Sequence, residues 1–158
     1  PAFRGGMLYE AVNWRDDGAE ERPPLEELLA RPELRRYVEA WGRKGDVALV
    51  ALDRLDEPVG AAWYRVFETD EPGYGFVATD VPELSIAVYP ECRGRHVGGL
   101  LLGSILSRAR TDGYRAISLS VATENPARRL YARNGFEVVT PSPPADDGDS
   151  LIMVLELT

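Results

Sequence analysis

Residues 84–121 read LSIAVYPECRGRHVGGLLLGSILSRARTDGYRAISLSV, and this stretch decides the fold. LSIAVY (84–89) is a short apolar run closed by Pro90, the pattern of a strand. From Val97 the period changes. Val97, Leu100, Leu101, Ser104 and Ile105 share one helical face, and the helix runs to Arg110, with Asp112-Gly113 closing it. AISLSV (116–121) is again a strand. A strand–helix–strand crossover makes its two strands parallel and its connection right-handed. The loop between them, PECRGRHVGG, delivers the chain into a helix N-terminus, where several N–H groups lack intrahelical partners and the dipole is positive. Arg93 and Arg95 add two full charges. These features suit a diphosphate, and they equally suit a plain strand-to-helix turn with solvated arginines. There is no G-K-[ST] for a P-loop and no G-x-G-x-x-G for a dinucleotide fold.

Upstream, VALVAL (47–52) and VGAAWYRVF (59–67) read as strands joined by the turn-like DRLDEP. Residues 68–82 (ETDEPGYGFVATDVP) form a long acidic loop interrupted by Pro and Gly, of the length that often lines a binding site. Further back, Met7, Leu8, Ala11 and Val12 share a helical face. Leu25, Leu28 and Leu29 begin a second helix that Pro32 interrupts or restarts. Leu34, Tyr37, Val38 and Trp41 then keep helical spacing up to a stop at Gly42. Downstream, Asn125 is placed to cap a helix with Pro126 at its first position. That helix ends at Asn134-Gly135. FEVV (136–139) and LIMVLEL (151–157) are the last strands, split by PSPPADDGD.

At 158 residues the chain is long enough for one sizeable core and short for two. The expected organisation is a single domain, with N-terminal helices in 1–44 and a core in 45–157. Cys92 and His96 stand alone in their residue types, which excludes an internal disulfide and a metal centre of cysteines or histidines. No apolar run approaches membrane-spanning length and no basic-then-apolar leader opens the chain, so a reducing cytoplasm is expected. The chain opens at Pro1 without an initiator Met, which leaves room for residues upstream. The net charge of −8, from 26 acidic and 18 basic residues, repels nucleic acid and anionic membrane and draws cations. Lys44 is the one lysine among the basic residues, a coding bias of a GC-rich bacterial genome.

The loop at 93–98 resembles the acyl-CoA signature [QR]-x-x-G-x-[GA] of the GNAT family of N-acetyltransferases, with Arg93 and Gly98 at its first and last positions. A second stretch, ENPARRLYARNGFEVV (124–139), is similar to that family's N-x-A-x-x-L-Y-x-x-x-G-F helix, through Asn125, Ala127, Leu130, Tyr131, Gly135 and Phe136. The resemblance covers roughly residues 45–157. The departure is His96, which stands where the family has its first motif glycine. The reading adopted is that the His96 side chain points outward and only its N–H is used. The family's opening strand is missing or very short.

The resemblance implies an α/β fold. Its sheet is central, mixed and mostly antiparallel, with one splayed parallel pair (84–89 and 116–121) and helices on its flanks. It implies acetyl-CoA as cosubstrate, with no metal. Ile86 and Val88 would hold the pantetheine arm, and Arg93, Gly94, Arg95, His96, Val97, Gly98, Gly99 and Asn125 would hold the rest of the cofactor. Tyr131 would protonate the departing thiolate. Glu83, at the start of the strand, is the candidate base for the ammonium, through a water. The acceptor would be a cationic small-molecule amine or a protein N-terminus, and a homodimer is compatible. The alternative is a non-catalytic acyl-CoA sensor or docking module, which the replacement of glycine by His96 keeps open and Tyr131 disfavours. A covalent route through Cys92 lacks a carboxylate to orient its base.

Overall fold

The computed structural model describes residues 25–141 and 150–157. Two short helices come first, α1 (Leu25–Leu29) and α2 (Pro32–Arg35). Strands β1 (Val47–Leu52), β2 (Pro58–Arg65) and β3 (Glu83–Val88) follow. A 3₁₀ turn (Pro90–Cys92) leads to helix α3 (Val97–Thr111). Then come β4 (Ala116–Ala122), α4 (Ala127–Arg133), β5 (Glu137–Pro141) and β6 (Ser150–Glu156). The strands make one mixed six-stranded sheet in the order β1-β2-β3-β4-β6-β5. Three of its pairings are antiparallel: β1 with β2, β4 with β6, and β5 with β6. β3 and β4 are parallel, and their register consists of the pair Glu83↔Ser118. Contacts group the chain into two compact units: the chain up to Tyr64 with Ser85–Ile105, and Arg65–Leu84 with the chain from Leu106 onward. No helix among the described residues is long and apolar enough to cross a membrane.

In the first unit the β1–β2 hairpin turns on Asp53. Its Oδ1 accepts the N–H groups of Leu55 and Glu57 at 2.8 and 3.0 Å, while its own N–H donates to the Glu57 carbonyl. A carboxylate that satisfies two turn amides lets a five-residue connection close without a β-turn glycine. β2 is buried along its later half, through Ala61, Ala62, Trp63 and Tyr64. Gly60 is where β2 meets its neighbours most closely: a Cβ there would lie 2.9 Å from the Ala87 carbonyl oxygen and 3.2 Å from side-chain atoms of Leu101 and Val88.

In the second unit β4 and β6 pair over seven residues, from Ala116↔Glu156 to Ala122↔Ser150, around a core of Ile117, Leu119, Val121, Ile152, Met153 and Leu155. Helix α4 ends on Gly135 at φ +95, with the Gly135 N–H on the Ala132 carbonyl and the Phe136 N–H on that of Tyr131. This is the paired C-terminal bonding that only a residue tolerant of the left-handed region closes without strain.

Two expectations change. The α3 face predicted from Val97 includes Leu100 and Ser104, yet both are exposed, Leu100 at 71%. The buried stripe is Leu101, Leu102, Ile105, Leu106 and Ala109. Three consecutive leucines satisfy several helical registers at once, and the downstream spacing to Ala109 decides among them. The periodic run to Trp41 stays regular only through Arg35. Beyond it the N–H groups of Tyr37 and Val38 reach back three residues, and Ala40 and Gly42 take positive φ. Leu34 and Tyr37 are buried all the same, so the spacing reports burial correctly and helix length poorly. The helical face at 7–12 and nearly all of PSPPADDGD lie outside the described residues.

Gly60→Ala should overpack the first unit by about 1–3 kcal/mol, lowering the thermal midpoint by several degrees. An unchanged midpoint in a melting scan would show that the neighbours of Gly60 yield freely.

Candidate active site

The first unit contributes a strand end, a turn and a helix start. Ile86 and Val88 lie two apart on β3, on the same side of the strand, and are half-buried. Tyr89 donates its N–H to the Val59 carbonyl at 3.0 Å, tying the strand end to β2. The 3₁₀ turn then folds back, with the N–H of Cys92 on the Tyr89 carbonyl and that of Arg93 on Pro90. Arg93 Nε donates to the Val88 carbonyl at 3.2 Å, so this guanidinium braces the strand end as well as charging the loop. Gly94 follows at φ +78, then Arg95, which is exposed.

His96 is the informative residue. Its φ is +63, inside the left-handed region where glycine is the usual occupant. The side chain is exposed, and its carbonyl accepts the N–H of Leu100 to begin α3. The backbone turn that a glycine would make is therefore made here by a histidine whose ring points to solvent. α3 then opens with Val97, Gly98 and Gly99. Its first-turn N–H groups have no acceptor within the helix, and no acidic residue sits in that turn. A 15-residue helix with such a start attracts phosphate oxygens. The exposed, side-chain-free Gly94 and Gly99 leave the approach open.

The second unit contributes Glu83, Asn125 and Tyr131. Glu83 is 3% exposed, and its Oε1 accepts the Gly75 N–H at 2.9 Å. Its register partner Ser118 is fully buried, with a hydroxyl that finds no hydrogen-bond partner among the described residues. Asn125 Oδ1 accepts the Ala127 N–H at 2.9 Å, so its side chain bonds the start of α4 from one residue ahead of the N-cap position, which Pro126 occupies. Tyr131 lies at the centre of α4, buried, with its ring 5.8 Å from that of Phe136 at 60°. Burial pushes its phenol well above the ordinary tyrosine pKa, so it stays protonated throughout the neutral range. A cleft of about 460 Å³ lies beside α4, lined by Asn125, Arg128, Arg129, Phe136 and Met153 among others.

Each unit carries its own subset: Ile86, Val88 and Arg93 to Gly99 lie in the first, where one strand end, one turn and one helix start join them, and Glu83, Asn125 and Tyr131 lie in the second, each held by different neighbours, Gly75, Ala127 and Phe136. Gly75 is absent from the sequence-level candidates. Within EPGYGF it reads as one of two loop glycines, and the reason for it lies in a strand more than forty residues away.

The sequence profile of the acetyltransferase (GNAT) family matches residues 9–136. A mycothiol acetyltransferase of Brachybacterium faecium is 35% identical over 142 residues, which is 85% of this chain and 38% of that protein. An L-methionine sulfoximine/L-methionine sulfone acetyltransferase of Pseudomonas paraeruginosa is 33% identical over 103 residues, 65% of this chain and 57% of that one. The chain therefore spans between about two fifths and three fifths of the length of these curated relatives. Among solved structures, a ribosomal-protein-alanine N-acetyltransferase from Brucella melitensis superposes with a TM-score of 0.69 at 26% identity, covering 98% of this chain and 93% of that one. A phosphinothricin acetyltransferase from Sinorhizobium meliloti, in complex with acetyl-CoA, gives 0.65 at 21% identity, covering 97% and 82%.

The left-handed turn at His96 makes a stability prediction. His96→Val, a β-branched residue at positive φ, should cost about 1–2 kcal/mol, whereas His96→Gly should cost nothing. Urea midpoints that fall equally for both variants would show that the imidazole, not the backbone, matters at this position.

Proposed function

The chain belongs to the acetyltransferase (GNAT) family, and on that premise we propose that it transfers the acetyl group of acetyl-CoA directly to an amine within a ternary complex. The observation that carries this reading is the left-handed turn through Gly94 and His96, which leads into the start of α3 with no acidic residue in its first turn. The diphosphate of acetyl-CoA would rest on the amides of His96 to Gly99, with Arg93 and Arg95 supplying charge. Backbone groups of Ile86 and Val88 would align the pantetheine arm. The Val88 carbonyl receives Arg93, and the Val88 N–H is our candidate to serve the arm or the thioester oxygen.

The acetyl thioester supplies the electrophilic carbonyl. An ammonium has no lone pair, so one proton must leave the acceptor before its nitrogen attacks that carbonyl. Glu83 is our candidate to take it, through a water. As the C–S bond breaks, the electron pair goes to sulfur and the Tyr131 phenol gives its proton to the thiolate, while the second proton, lost from the acetylated nitrogen, passes through solvent and restores the phenol. Burial keeps that phenol protonated, which suits a donor and excludes it as a base at neutral pH. Asn125 contributes by fixing the start of the helix that carries Tyr131.

The acceptor we propose is a small cationic amine. Glu68, Asp70 and Glu71 are exposed on the loop after β2, and the chain as a whole carries −8. The names of the two curated relatives also point to small molecules as acceptors. The sensor reading rests on His96 in place of the motif glycine, and a φ of +63 at His96, which a glycine also adopts readily, weighs against it.

A panel of spermidine, glucosamine, L-methionine sulfone and an unblocked peptide, each with acetyl-CoA, tests this reading by the release of free CoA. Amine-dependent release is expected. Tyr131→Phe should lower kcat by a factor of about 10²–10⁴ while leaving acetyl-CoA affinity nearly unchanged. The loss should be uniform from about pH 6 to 9, because the phenol does not titrate there. Full activity in the variant would take Tyr131 out of the mechanism.

A further inference from the structure

The loop between β2 and β3 is held in a way that the transfer chemistry does not require. Its ends are anchored by buried Phe67 and Val81, and the Pro82 carbonyl accepts the Ser118 N–H at 3.0 Å. Asp80 makes a two-point ion pair with Arg115, at 2.9 and 3.1 Å. The middle of the loop meets β4 at Gly75. A Cβ on that residue would lie 2.6 Å from the Leu119 carbonyl carbon, 2.7 Å from the Ser120 nitrogen and 3.0 Å from the Leu119 oxygen. All three are backbone atoms of a strand hydrogen-bonded to β6, so they cannot step aside as a side chain would. The Gly75 N–H, buried at that contact, is satisfied by Glu83 Oε1 at 2.9 Å. Without the carboxylate that amide would be buried and unpaired, at a penalty of about 1–3 kcal/mol.

The position of this contact gives it meaning. Glu83↔Ser118 is the rung that pairs β3 with β4, and Gly75 lies on the next two residues of β4. We propose that Gly75 and Glu83 form a seat that fixes the acidic loop on β4 and thereby sets how the acceptor amine is bound. Glu83 is then a positioning residue as well as the candidate base. The seat needs a hydrogen-bond acceptor at Glu83 and no side chain at position 75. The base needs an ionisable group at Glu83 only. The link to the acceptor rests on the transferase reading above, whereas the seat itself does not.

Three variants separate these roles. Glu83→Gln keeps a carbonyl oxygen to accept the Gly75 N–H but cannot take a proton. Glu83→Ala removes both functions. Gly75→Ala spoils the seat and leaves the carboxylate in place. Amide hydrogen exchange in the full chain reads the seat without any ligand. The residue-75 amide should exchange at least about tenfold faster in Glu83→Ala and Gly75→Ala than in the native chain, and within about threefold of native in Glu83→Gln. The Leu119 and Met153 amides should hold their protection throughout.

Steady-state kinetics with spermidine and with L-methionine sulfone read the consequence. Acceptor KM should rise about tenfold or more in Glu83→Ala and Gly75→Ala, with acetyl-CoA affinity within about twofold of native. Glu83→Gln should keep acceptor KM and lose kcat with a flattened alkaline rise in kcat/KM. Protection retained at residue 75 in Glu83→Ala, or lost together with Leu119 and Met153, overturns the seat. A freed loop with unchanged acceptor KM overturns its part in acceptor binding. If the native chain acetylates no amine, the transferase reading and the acceptor role fall together, and the exchange result alone decides the seat. Should Glu83→Ala fail to fold, Gly75→Ala and Glu83→Gln still give opposite predictions.

Discussion

The loop after β3 can present its amides only because the backbone turns left-handed twice, at Gly94 and at His96, with φ of +78° and +63°. These two residues carry the chain from a strand that ends on β2 to a helix that begins with free N–H groups. The first is a glycine, for which the conformation is cheap. The second is a histidine, one of the few side chains seen repeatedly in that region, and its ring is exposed. The backbone constraint therefore outranks residue identity here. A histidine that accepts this torsion carries the chain into α3 as a glycine could.

Buried polar groups organise the second unit in a similar way. Glu83 is a carboxylate almost closed off from solvent, and a backbone amide, that of Gly75, meets it there. Tyr131 is a phenol closed off from solvent, and burial favours its neutral form. Burial thus acts on both groups, setting one against a loop amide and holding the other in its neutral form.

Most of the sheet was legible in the sequence. VALVAL became β1 residue for residue, and the last two strands were found to within a residue or two, because alternation and turn residues act locally. The α4 start was legible to within a residue for the same reason, since Asn125 bonds the Ala127 N–H through its own side chain although Pro126 takes the N-cap position. The GNAT assignment came from two motifs in the right order, which the profile match then supported. The face of α3 was not legible, since Leu100, Leu101 and Leu102 fit more than one register. The seat at Gly75 was not legible either. It joins a loop amide, a strand-end carboxylate and a strand backbone, and no local spacing encodes that meeting. Tertiary contacts made by backbone atoms leave the faintest trace in sequence.

The central claim is that the turn into α3 is a diphosphate cradle for an acyl-CoA, and a calorimetric titration with acetyl-CoA tests it most directly, run beside S-acetylpantetheine, which lacks the diphosphate. The account predicts saturable binding of acetyl-CoA well below about 1 mM, and binding of the truncated thioester weaker by at least about tenfold. The preference should shrink as salt rises, because charge–charge attraction to the phosphates is screened. Equal affinity for the two thioesters, or no saturable heat with acetyl-CoA at about millimolar concentration, would contradict it.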